Sequence, residues 1–176
     1  MSSEKRPSPF GNYALSVSRG LMGEPNSFIL YLNLEDINMK MRALVVSGKG
    51  KLKAIGEMLA KNGTYAADVI PPAYSCDRER LVVIIATLRS SMPDSFRRFC
   101  QELSKDKAQN VALIVDGSET DAKMVSDWIA AAGANVSENI LYFPVKGLFA
   151  GFAKTLTAEE TEKVNAWYDA IVADLK

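Results

Sequence analysis

The sequence predicts a three-layer α/β domain on a doubly wound, five-stranded parallel sheet in the order 2-1-3-4-5. Three observations carry that expectation. From residue 42 onward, apolar strand-like runs alternate with segments of helical periodicity, the pattern of a parallel sheet with crossover helices. The run LVVIIAT, Leu81 to Thr87, is apolar on both faces, as a central strand is. A shorter run near Tyr65 to Ile70 is stopped by Pro71 and Pro72, and a short second strand with a wholly apolar third suits this order.

Each element has its own signal. The first strand is read over Ala43 to Ser47 and the first helix over Lys51 to Asn62, with Leu52, Ile55 and Leu59 on one stripe and Gly63 as its left-handed stop. After the third strand, a helix begins around Pro93, with Ser91 or Met92 just outside it, and buries Phe96, Phe99, Cys100 and Leu103. Val111 to Val115 is the fourth strand. Ser118 and Asp121 then stand at capping-box spacing before a helix from about Thr120, whose Met124, Val125, Trp128 and Ile129 point inward. Ile140 to Val145 is the fifth strand. Thr157 and Glu160 form a second capping box, opening a last helix striped by Val164, Trp167, Ile171 and Leu175.

Residues 1 to 41 follow a different grammar and are expected to be a poorly ordered extension, leaving 42 to 176 as the domain. Phe28 to Leu34 is its one strand-like run. Leu34-Glu35-Asp36 can be encoded by codons containing GGAGG, a ribosome-binding sequence suitably placed before Met39 or Met41. A natural extension and a translation start at one of those methionines both account for the stretch. An N-terminus at Met1 or Ser2 in the mass of the native protein would exclude the second.

Composition removes whole classes of chemistry. Among 176 residues there is no histidine, so no His-based triad, imidazole base or common zinc site is available. Lysine plus arginine and aspartate plus glutamate balance at 21 each, so no bulk charge draws the chain to nucleic acid or an anionic membrane. No apolar run reaches spanning length and the first residues lack the blocks of a secretory signal, which makes the cytoplasm the expected location. Cys76 and Cys100 form no CxxC pair. Cys100 sits on a buried stripe and reads as packing; Cys76, in a polar loop, reads as the more exposed thiol, with Arg78 and Arg80 placed to lower its pKa.

In a doubly wound sheet, ligands bind beyond the carboxyl ends of the strands at the switch point, here between the first and third strands. The stretch Ser47-Gly48-Lys49-Gly50-Lys51 lies there, with glycines for close backbone approach, two lysines, and the unpaired N–H groups of a helix start, a combination suited to an anion such as phosphate. Following the third strand, Arg89 is a second cationic candidate, with Thr87, Ser90 and Ser91 as hydroxyl donors around Leu88. Asp116, Gly117 and Ser118 leave the fourth strand beside them; Asp116 is either a ligand contact or turn chemistry. GLFAGFAKTL, residues 147 to 156, is either a loop packed over the fifth strand or a lid or partner-binding surface. No catalytic side chain and no metal ligand set is singled out.

The order of elements, together with MRALVVSG, PDSFRRF at 93 to 99 and NVALIVDG at 110 to 117, resembles the flavodoxin-like family over most of the chain after Met41. The resemblance implies a site for non-covalent FMN at Ser47, Gly48, Lys49, Gly50, Lys51, Thr87, Leu88, Arg89, Ser90, Ser91, Asp116, Gly117 and Ser118. It also implies electron transfer to a redox protein partner. Two features depart from the family pattern. The phosphate turn has one hydroxyl in place of a hydroxyl-rich loop, and neither Leu88 to Met92 nor Gly117 to Thr120 offers an aromatic to stack on the flavin. The other reading is therefore a binding or interaction module of the same fold whose crevice holds a small anion or no ligand.

Overall fold

The computed structural model describes residues 40–46, 49–62, 67–89, 92–145 and 155–175. The Phe28 to Leu34 run, Gly63, Ser47, Gly48, Ser90, Ser91 and most of the 147 to 156 loop lie outside them. The elements are β1 (Met41–Val45), α1 (Gly50–Asn62), β2 (Asp68–Val69), β3 (Glu79–Thr87), α2 (Asp94–Gln101), β4 (Ala108–Asp116), α3 (Glu119–Ala132), β5 (Asn135–Val136), β6 (Leu141–Tyr142) and α4 (Ala158–Ala173). All described pairings are parallel, in the order β2-β1-β3-β4-β5, with β6 also pairing β4.

This is the doubly wound order the sequence predicts, with one difference at its far edge. The fifth position is filled by two dipeptides. β5 pairs with Asn110 and Val111, and β6 pairs further along the same strand with Ile114 and Val115. At the near edge, the Val45 carbonyl accepts the Ile70 N–H at 3.0 Å, so the intervening Val69 turns its amide away from β1. Asp68 meets it there: its Oδ1 accepts the Val69 N–H at 2.8 Å and its Oδ2 accepts the Ala73 N–H at 3.2 Å.

Period-two alternation along the strands divides the core into two layers. Leu44, Val82, Ile84, Val111, Leu113 and Val115 pack with Phe96 and Cys100 of α2 and with Ala122, Val125 and Ile129 of α3. Val45, Val83, Ile85, Ala112 and Ile114 pack on the other face with Leu52, Ile55 and Leu59 of α1 and with Val164, Trp167 and Ile171 of α4. The three layers are thus helices, sheet, helices. Met124 is the exception to the expected stripes: it is 38% exposed.

The ends of β1 and β3 opposite the switch point carry a charge network around one buried carboxylate. Glu79, the first residue of β3, is 1% exposed, with Arg42 Nε at 3.5 Å and Lys40 Nζ at 3.8 Å from its Oε1. Arg42 Nη1 also donates to the Tyr74 carbonyl at 2.6 Å and stands 4.0 Å from Cys76 Sγ. Lys40 and Met41 thus work inside the domain, with Met41 paired in register with Leu81, although the sequence reading ended the extension at 41.

The expectation for Cys76 is corrected by the same network. The thiol is 4% exposed, and Arg42, rather than Arg78 or Arg80, is its cationic neighbour. Burial raises its pKa, with Arg42 opposing and Glu79 reinforcing. Cys100 is fully buried, and burial pushes its thiol up to about 12. Neither thiol should therefore react with Ellman's reagent in the native protein at mildly alkaline pH, and both should react once it is unfolded in guanidinium. Rapid labelling of one thiol in the native state would contradict the burial of Cys76.

Candidate functional site

At the carboxyl ends of the strands, one residue gathers three of them. Asp116 closes β4 opposite Thr87 of β3. Its carbonyl accepts the Leu88 N–H at 2.8 Å, and its carboxylate Oδ1 accepts the Val145 N–H, three residues beyond β6, at 3.2 Å. Asp116 therefore has a turn-fixing role in the described structure. The two turns it joins, β3–α2 and β4–α3, are also in van der Waals contact. A Cβ added at Gly117 would lie 2.7 Å from the Leu88 carbonyl oxygen and 2.8 Å from Leu88 Cβ. Only glycine fits there without movement of the neighbouring backbone.

The predicted residues fall into different situations around this junction. Leu88 is 3% exposed and belongs to the core on the α2 and α3 side. Thr87 is half-buried; Lys49, Arg89, Gly117 and Ser118 are exposed. Ser118 caps α3: its Oγ accepts the Asp121 N–H at 3.1 Å and donates to Asp121 Oδ2 at 2.7 Å, which is half of the capping box expected. Its hydroxyl is engaged before any ligand arrives.

On the other side of the switch point, α1 opens with Gly50 at φ 74°, a left-handed conformation that favours glycine. No acidic residue occupies its first turn, so the positive end of the helix dipole is not offset from within the helix. Lys51 is committed elsewhere. Its Nζ lies 2.5 Å from Glu160 Oε1 in α4, while Glu160 Oε2 accepts the Thr157 N–H and the Thr157 hydroxyl accepts the Glu160 N–H. Among the described residues, Lys49 and Arg89 have no such ion pair.

Sequence reasoning identifies the Thr157 and Glu160 capping box but not this cross-link, because 109 residues separate Lys51 from Glu160 and no local pattern joins them. The hydrogen bond from Lys51, then that from the Thr157 backbone, hold the Glu160 carboxyl below its ordinary value of 4.5. A depressed folded-state pKa contributes stability that is present above the unfolded value and lost as pH falls through the folded one. The pair is partly exposed, which limits it to roughly 0.5–1 kcal/mol. Glu160→Gln should thus lower the urea midpoint at neutral pH and match the parent protein below the carboxylate range. A deficit that persists at acid pH would assign the loss to packing.

A further side chain missed in the sequence is Tyr142. It stands beside Val115 in the ladder, is 38% exposed, and is the aromatic that β6 brings alongside the end of β4. Its phenol pKa is raised by partial desolvation and then by the charge of Glu119 at the start of α3. Among the described residues, no group of three or more Cys, Asp or Glu side chains could hold a metal ion. No described helix is long and apolar enough to cross a membrane.

Sheet order and layers define a three-layer α/β fold of the flavodoxin-like kind. The sequence matches no family model and no curated protein. Among solved structures, the chain is similar to a short-chain flavodoxin associated with a non-canonical PDU bacterial microcompartment, with TM-score 0.53 and 13% identity over 77% of this chain and 97% of that one. That likeness shows the fold.

Proposed function

We propose that this domain binds FMN non-covalently at the switch point and serves as an electron-transfer or oxidoreductase module. The observation that carries the reading is the position of the α1 N-terminus, with Gly50 left-handed and no acidic residue in its first turn, at the strand ends where Thr87 and Asp116 meet. Those features fit the phosphate end of the cofactor: exposed Lys49 and Arg89 supply positive charge, and the helix supplies N–H donors. The exposed Gly117 and Ser118 turn offers backbone groups to the ring edge, and Tyr142 offers aromatic surface nearby. Bound flavin would supply the redox chemistry, and the chain's own groups would position it and tune its electrostatics. A redox protein partner follows from that role.

A second reading is favoured by two specific contacts. Lys51 is held by Glu160, and Leu88 closes on Gly117, so part of the crevice's polarity and space is already taken. On that reading the fold serves as a binding or interaction module for a small anion, or for a protein with no ligand in the crevice. The visible spectrum of the purified protein, followed by titration with FMN under flavin fluorescence, separates the two. A bound-flavin spectrum or saturable quenching, weakened at least about tenfold in Lys49→Glu with Arg89→Glu, supports the flavoprotein. No spectrum and no quenching removes it, and unchanged affinity in the double variant removes the assigned site.

A further inference from the structure

The lysines at the start of α1 differ in what holds them. Lys53 is tied to Glu57 of its own helix at 3.3 Å, with both side chains about half-exposed. Lys51 is tied to another helix: its Nζ lies 2.5 Å from Glu160 Oε1 in the first turn of α4, and only 18% and 26% of the two side chains are exposed. Helix side chains lean toward the N-terminus, so the ammonium of the second residue of α1 is carried toward the end where that helix presents its free N–H groups. Glu160 thus supplies, from within the chain, the carboxylate that this ammonium holds.

Glu160 does not depend on the lysine alone. Its Oε2 accepts the Thr157 N–H at 2.9 Å, and it is the third residue of α4, where the helix dipole favours negative charge. A carboxylate so placed keeps a hydrogen bond and a helix end when Lys51 leaves. The start of α1 has no such resident, since its first turn holds no acidic residue. Lys51 therefore has two alternative partners: the carboxylate of α4, or an anion seated on the N–H groups of its own helix. A phosphate monoester is the stronger competitor, because at neutral pH it carries about 1.5 to 2 negative charges and three strong acceptor oxygens.

We propose, on the reading that the start of α1 receives the ligand's phosphate, that Glu160 is a built-in competitor for Lys51, and that the phosphate binds by drawing the ammonium away from α4. Glu160 thereby sets how tightly the crevice holds an anion. Glu160→Gln keeps an acceptor for the Thr157 N–H and releases Lys51, so the full chain with this substitution should bind FMN about two- to fivefold more tightly in the fluorescence titration. Loss of stability alone does not tighten binding. Riboflavin, which lacks the phosphate, should bind parent and variant equally. Glu159→Gln removes a charge one residue away and frees no lysine paired among the described residues, so it should leave FMN affinity at the parent value. In the Lys51→Met background, the gain from Glu160→Gln should vanish. Unchanged FMN affinity in Glu160→Gln, an equal gain for riboflavin or from Glu159→Gln, or a gain that survives Lys51→Met would each overturn the competition while leaving the flavin reading in place. Inorganic phosphate, followed by the ¹H–¹⁵N NMR signals of Gly50, Lys51 and Leu52, separates the remaining case. Saturable phosphate shifts that tighten in Glu160→Gln, without FMN binding, would remove the flavin and support the competition; binding of neither would remove both.

Discussion

Arg42→Met should cost about 3 kcal/mol of stability, because it leaves the buried Glu79 carboxylate without its closer cation. Lys40, at 3.8 Å and half-exposed, is too well solvated to replace it fully. The guanidinium's hydrogen bond to the Tyr74 carbonyl is lost too, which loosens the loop that carries Cys76. Urea denaturation measures the loss, and Arg42→Met combined with Glu79→Leu should recover most of it, since the penalty comes from an uncompensated buried charge. A loss below about 1 kcal/mol in the single variant would mean that Lys40 and solvent suffice.

Gly117→Val should destabilise the domain by about 1–3 kcal/mol and disturb the strand-end crevice at the same time. The obstacle is backbone: the Leu88 carbonyl and Cα lie 2.7 and 3.3 Å from the added Cβ. Leu88 cannot retreat easily, because its N–H is bonded to the Asp116 carbonyl and its side chain is packed in the core. Since the first added carbon already collides, Gly117→Ala should show most of the valine variant's loss. A neutral alanine variant, by thermal unfolding, would show that the two turns separate without cost. If FMN binds here, the same variants should also weaken its affinity in the fluorescence titration.

The parts of the fold that the sequence announces are those with long apolar patterns. LVVIIAT and NVALIVDG are central strands because they are apolar on both faces, and nothing else in the chain competes for that place. Their polar ends do not show in the sequence, for a physical reason. β3 begins at Glu79 and β4 at Ala108, because Arg42 and Lys40 neutralise Glu79, and the Arg80 carbonyl and Asn135 satisfy Asn110. These compensations come from other strands, and hydropathy along one strand cannot register them. β5 is a polar-start dipeptide, too short to carry any periodicity.

The candidate site divides along the same line. Its location follows from strand order and could be read from residue 42 onward. Which cations remain available could not, since Lys51 and Glu160 meet only when α1 and α4 pack side by side on one sheet face. Likewise, the sequence leaves Asp116 as either a ligand or a turn residue, and the Val145 amide on its carboxylate comes from a segment 29 residues away.

Asp68 has a consequence beyond the local turn. A sheet edge ordinarily recruits foreign strands through its outward amides, the first step toward ribbon-like aggregates. Here the one residue of β2 that turns its N–H outward already finds an acceptor in the carboxylate of its own neighbour. An incoming strand would have to evict a charged group that also anchors Ala73, and would gain only a dipeptide's length of pairing. Among the described residues, a single side chain thereby leaves the β2 edge without an outward amide for an incoming strand to use.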